Sequence, residues 1–144
     1  MPNELGPVLV IPGRDRPHEL VFSGYAVVIG GLYAAGASFS PAARTVLPGV
    51  WSNAYGAALL VGGVLTLVGA FWVSNIERGL DIERSGLLIL SGALTIYVAA
   101  VLGTVGTSGG FAGGLALAWV YANVSRAVGI TRDLSRIRTR REQQ

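Results

Sequence analysis

The chain contains no cysteine, no lysine and a single histidine. Without thiols there is no disulfide, no thiolate metal site and no thiol nucleophile. Charge of either sign is scarce: 13% of the 144 residues are charged, against about a quarter in an ordinary soluble domain. The scarcity is uneven. No charged residue occurs from Leu20 to Ala43, from Thr45 to Ile76, or from Ser85 to Ser125. No ionisable acid or base therefore lies inside these stretches, which argues against a proton relay or a membrane-embedded hydrolase.

What is present is apolar. Hydrophobic residues make up 51% of the chain and its mean hydropathy is +0.55. A membrane-spanning helix needs roughly 20 mainly apolar residues. The first two charge-free stretches each hold one, and the third, about 41 residues long, holds two and a turn. The turn falls at Gly103-Thr104-Val105-Gly106-Thr107-Ser108-Gly109-Gly110, where glycines and hydroxyl residues punctuate the helix. The expected fold is an all-α integral membrane four-helix bundle of two helical hairpins. Its spans run about 20–39, 53–74, 85–104 and 109–127, between an N-terminal segment 1–19 and a basic tail 128–144.

The arginines orient it. Arg14, Arg16, Arg78, Arg84, Arg126, Arg132, Arg136, Arg138, Arg140 and Arg141 fall on one side and Arg44 on the other. This positive-inside bias puts the amino terminus, the middle loop and the tail in the cytoplasm of a bacterial inner membrane. Trp51 and Trp72 bracket the second span about 31 Å apart, matching the hydrocarbon thickness. Phe22 with Tyr25, and Trp119 with Tyr121, mark two more cytoplasmic ends. Ala35-Gly36-Ala37 resembles a signal-peptidase site, but Glu4, Asp15 and Glu19 spoil the basic region a signal peptide needs, so the first span is expected to stay. His18, among Arg16, Pro17 and Glu19, reads as a solvated residue beside the membrane rather than a pH sensor.

Within the spans the recurrent signal is small residues four apart: Ala26 and Gly30, Gly31 and Ala35, Ala58 and Gly62, Thr66 and Ala70, Gly109 and Gly113, Gly110 and Gly114. Small residues let helix backbones approach where lipid gives no hydrophobic drive. Such faces serve either packing inside one chain or self-association, and Gly30, Gly62, Gly109, Gly110, Gly113 and Gly114 are the candidate packing positions. The middle loop, from Ile76 to Arg84, uses Ile-Glu-Arg twice and reads as a short solvated connector. Glu77, Arg78, Glu83 and Arg84 form its alternative use, a docking point for a partner. The tail, as a helix, aligns Ile130, Leu134 and Ile137 on one face. Arg132, Arg136, Arg138, Arg140 and Arg141 then suit anionic lipid head groups on the cytoplasmic leaflet. Nucleic-acid binding is not expected, since no aromatic interleaving or recognisable module accompanies the arginines.

The arginine-only basic set, with abundant Ala, Gly and Val, suggests a high-GC host. The run Ile82-Glu83-Arg84-Ser85-Gly86-Leu87-Leu88-Ile89-Leu90, leading into Ala93-Leu94-Thr95-Ile96-Tyr97, resembles small four-span membrane proteins of actinobacterial phages. Some of these are holin-like, and the resemblance implies an oligomer that permeabilises the inner membrane. It assigns no residue a role. The alternative is a non-catalytic accessory or scaffold subunit of a larger membrane complex. In both, the partners are the lipid bilayer and either further copies or another membrane protein; no enzyme activity, cofactor or metal is expected.

Overall fold

The computed structural model describes residues 17–37, 47, 49–72 and 74–142. Among the described residues there are four α-helices: α1 (Pro17–Ala34), α2 (Val50–Phe71), α3 (Ile76–Val105) and α4 (Gly110–Glu142), with a 3-10 turn over Gly106–Gly109 between the last two. No strand occurs among the described residues. Two helical runs are long and apolar enough to cross a membrane: Val50–Phe71, and Ile76–Ile137, which includes the turn. The segment 1–16, with Arg14 and Arg16, and the loop 38–46, with Arg44, lie outside the described residues.

Local chemistry sets the helix ends, and it moves several expected boundaries. α1 stops at Ala34 instead of continuing to 39. Gly36 takes φ 79°, its N–H donates to Tyr33 O, and the Ala37 N–H donates to Leu32 O. That pair of bonds is the glycine-closed C-cap, which satisfies the last carbonyls and reverses the chain. α3 begins nine residues earlier than expected, at Ile76. Asn75 caps it, its Oδ1 accepting from the Arg78 N–H at 3.2 Å, and Glu77 sits in the first turn where the helix dipole favours an acid. The supposed connector is thus two turns of helix, and the real link is the short stretch after Phe71. At the other end Gly106, at φ 62°, breaks the helix inside the expected glycine cluster. α4 then runs unbroken for 33 residues, so the tail is its continuation and not a separate surface helix.

The helices pack in chain order, α1 on α2, α2 on α3, α3 on α4. Glycines close the first two seams. A Cβ on Gly30 would strike the Leu60 N and come 2.7 Å from Gly56 O, and one on Gly63 would come 2.8 Å from Ser23 O. On the opposite face of α2, a Cβ on Gly86 would lie 2.5 Å from Thr66 N, and one on Gly69 would strike the backbone of Glu83. Only hydrogen fits at such positions, and the backbones gain close dispersion contact from it.

The third seam works differently. On α3, Leu80, Glu83, Leu87, Leu94 and Val98 are buried on the α4 side, while Leu90 packs with Ala26 and Leu59 and Val101 with Leu47. On α4 the buried set is Ala116, Asn123, Ala127, Ile130 and Leu134. This is the pattern of two helices packed side by side like a coiled coil. Leu80 and Leu87 pack with Ile130 and Leu134 toward the end where α2 stops, and Leu94 and Val98 pack with Ala116 nearer the turn. α3 and α4 are about 45 and 50 Å long, against about 27 and 33 Å for α1 and α2.

Candidate functional site

Among the described residues, a buried charge cluster stands at the level where α1 begins and α2 ends. Arg126 on α4 directs its Nε and Nη2 at Oε1 of Glu83 on α3, each at 3.0 Å. Its Nε also lies 3.5 Å from Oε2 of Glu19 on α1. The three side chains are 12%, 7% and 17% exposed. Two carboxylates thus converge on one guanidinium, tying three helices together. Charge-assisted bonds of this kind offset the desolvation of the ions only while every partner is present. Gly69 makes the arrangement possible, because its missing side chain lets α2 lie against the Glu83 backbone.

Immediately inside this cluster is an aromatic layer. Phe22 and Tyr25 of α1 stack against Trp119 of α4, with ring centroids 4.9 and 6.2 Å apart. Deeper still, Tyr33, Tyr55 and Tyr97, from three helices, form a chain of rings each 5.9 Å from the next. Elsewhere α1 and α4 are not packed on each other, and two cavities open between them. One, of about 280 Å³, lies at the charged end, lined by Glu19, Phe22, Trp119, Asn123 and Arg126. The other, of about 250 Å³, is lined by Tyr25, Tyr33, Tyr55, Tyr97, Leu115 and Trp119. Trp119 borders both. Asn123 is 6% exposed, and its Nδ2 has no hydrogen-bond partner.

Three hydroxyls of α2 and α3 bond within their own helices. Thr66 donates to Gly62 O at 2.9 Å, Ser91 to Leu87 O at 2.8 Å and Thr95 to Ser91 O at 2.8 Å. Each is spent on its own helix, four residues back.

The residues expected to act from sequence separate into groups. Gly30 and Gly62 stand at tight seams; Gly109 faces Val101, and Gly113 has only the Leu102 side chain, at 3.8 Å. Gly110 and Gly114 face open space. Among the described residues nothing packs on Gly110 or Gly114, so of the two uses expected for them, packing within one chain has no contact here. Glu83 is also corrected as a docking residue: it is buried against Arg126 and has no surface to offer. Arg78 is exposed, and Glu77 and Arg84 are half-buried. Arg132 and Arg136 are exposed, Arg136 standing 3.8 Å from Asp133. The side chains of Arg138, Arg140 and Arg141 lie outside the described residues. Ile130 and Leu134, the apolar face assigned to lipid, are instead sealed against α3.

Sequence reasoning missed the Glu19–Arg126–Glu83 cluster and the glycines Gly56, Gly63, Gly69, Gly79 and Gly86. A search at seven-residue spacing, which also returns to one helix face, finds them as Gly56/Gly63, Gly62/Gly69 and Gly79/Gly86. No known family, curated protein or solved structure matches the chain.

Proposed function

We propose that the chain is an integral protein of a bacterial inner membrane that crosses it four times, with both termini cytoplasmic, and that it serves as a non-catalytic scaffold subunit of a membrane complex. The distribution of side-chain size supports the membrane reading. Large apolar residues, among them Val28, Val61, Val64, Leu88, Ile96, Phe111 and Leu115, point outward, while glycine, alanine and hydroxyl residues fill the seams. Water would penalise that arrangement, and lipid does not. From Arg84 to Val105, α3 covers about 33 Å, close to a hydrocarbon core. The ten-to-one division of arginines supports the orientation.

The observation that carries the scaffold reading is where the tight glycine seams are spent. They join α1 to α2 and α2 to α3 within one chain, so the monomer is already a packed unit. A pore assembled from many copies would need those faces, and the hydroxyls, for other work. What remains for a partner is the outer side of α4 and the exposed arginines Arg78, Arg132 and Arg136.

Self-association of the holin-like kind has one observation in its favour: Gly110 and Gly114, beside the 88% exposed Phe111, form an open small-residue face. Expression alone in a bacterium discriminates. The scaffold reading expects undiminished growth and membrane potential with abundant inserted protein. Collapse of the potential, relieved by leucine at Gly110 and Gly114, would replace it with the holin-like one. Topology is checked in the same cells with a reporter active only in the cytoplasm, placed after Gln144 or near Ser74 (active) and near Pro48 or Ser108 (silent). Activity at Pro48 or Ser108 would overturn the four-span arrangement.

A further inference from the structure

Four of the chain's five tyrosines, Tyr25, Tyr33, Tyr55 and Tyr97, line one cavity of about 250 Å³ between α1 and α4, together with Trp119. Packing alone does not ask for this. Phenylalanine would stack equally well, and in a bilayer each phenol adds a hydroxyl that hydrocarbon cannot satisfy. Among the described residues none of the four hydroxyls has a hydrogen-bond partner, whereas Thr66, Ser91 and Thr95 are each bonded to their own helix. Nor are the hydroxyls of Tyr33, Tyr55 and Tyr97 sealed inside the protein, so a molecule in the cavity reaches them.

The walls define what fits. No charged side chain lines this cavity, so a neutral occupant suits it. Its rings offer stacking surfaces: Tyr33 meets Tyr55 edge-on, Tyr55 and Tyr97 are stacked with 26° between their planes, and Trp119 adds a wall from α4. A flat ring is the shape that such walls favour. The space is that of a head group and not of a whole molecule, since sites that enclose a drug-sized ligand run from about 300 to 1,000 Å³. An apolar tail then lies in the lipid beside the cleft. Tyr33, Tyr55 and Tyr97 stand about 2, 8 and 12 Å along their helices from Ala34, Val50 and Val105, which in the proposed topology is the leaflet away from the cytoplasm. A phenol needs an acceptor for its proton, and a carbonyl on the ring supplies one.

We propose that the α1–α4 cleft binds a membrane quinone, a flat neutral ring with two carbonyl oxygens on a long apolar tail. The ring lies among Tyr33, Tyr55, Tyr97 and Trp119, and its carbonyls accept hydrogen bonds from the tyrosine hydroxyls. This site rests on the membrane reading above and goes beyond it in naming a ligand class; it is a binding site, with no redox step assigned to it.

The test uses the full chain in detergent, with Trp51→Phe and Trp72→Phe leaving Trp119 as its sole tryptophan. Three probes are added: a short-tailed menaquinone, naphthalene carrying the same tail but no carbonyls, and dioleoylglycerol. Binding is read by native mass spectrometry and, for the quinone, by quenching of Trp119 emission. The quinone is expected to bind saturably and about tenfold more tightly than either of the others, as one or two net hydrogen bonds imply. Phenylalanine at Tyr25, Tyr33, Tyr55 and Tyr97 keeps the rings and should erase that preference. Ala112→Phe, at an exposed position on the cavity wall, fills the space without touching the hydroxyls and should abolish quinone binding while the ligand-free melting temperature holds. Equal binding of menaquinone and the naphthalene analogue overturns the proposal, as does undiminished quinone binding by the Ala112→Phe variant. Tighter binding of dioleoylglycerol would make the cleft a seat for ordinary lipid and overturns it too. These measurements are made in detergent, so the membrane topology stands or falls separately, by the reporter fusions above.

Discussion

Gly86 and Gly92 lie on the same helix less than two turns apart, and the same substitution at each should have opposite effects. At Gly86 an alanine Cβ would fall 2.5 Å from both the N and Oγ1 of Thr66 and 2.7 Å from Gly62 O, where ordinary contact begins at 3.4 Å. None of these atoms can yield alone, because Thr66 Oγ1 is itself bonded to Gly62 O at 2.9 Å. Helix α2 must therefore withdraw from α3 by about 1 Å, a gap that forfeits a quarter to a half of each dispersion contact along the seam. Overpacking of this kind costs about 1–3 kcal/mol. At Gly92 there is nothing within 4 Å, so only the gain in helix propensity remains, up to about 1 kcal/mol. The propensity gain is common to both variants and cancels in the comparison. Gly86→Ala should thus be less stable than Gly92→Ala by about 1–3 kcal/mol, read from dodecyl sulfate titration of the protein in mixed micelles, followed by circular dichroism. Equal shifts for the two variants would refute the assignment of Gly86 to a tight seam.

Two further substitutions probe the charged end. Arg126→Met strands Glu83 and Glu19 against each other and should cost about 3–5 kcal/mol in the same titration, with much of that recovered when Glu83→Gln is added. A double variant no better than the single one would mean that the ions are not coupled. Ile130→Ala removes a fully buried side chain from the α3–α4 seam and should cost about 2–5 kcal/mol, measured by the same method. An unchanged protein would return Ile130 to the lipid-facing role that its spacing first suggested.

Much of this protein was legible in its residues because the relevant signals are local. Charge-free runs, the glycine cluster near Gly106 and the apolar mean hydropathy of +0.55 locate helices and a reversal without any knowledge of packing. The heptad-like spacing of Ile130, Leu134 and Ile137 identified a true buried face, since periodicity records that a face is apolar. It does not record what covers the face, and α3, not a lipid surface, does so.

Other features belong to the tertiary structure alone. That Asn75 starts a helix instead of ending a loop depends on α3 having Leu80, Glu83 and Leu87 to bury against α4. Glu83 and Arg126 stand 43 residues apart, and nothing in either neighbourhood distinguishes them from the surface pair Asp133–Arg136. Only the antiparallel fold of the last hairpin brings them to one level, and only the start of α1 adds Glu19. The glycines divide for the same reason. Gly86 and Gly110 are chemically identical and sit in similar apolar runs, yet one receives the backbone of a neighbouring helix and the other receives nothing. The sequence by itself determined that the chain is helical and that it turns near Gly106, because those choices rest on each segment's own composition. Which glycine is a seam, which acid is buried and where the bundle stays open were decided by helices distant in the chain, whose approach no local pattern encodes.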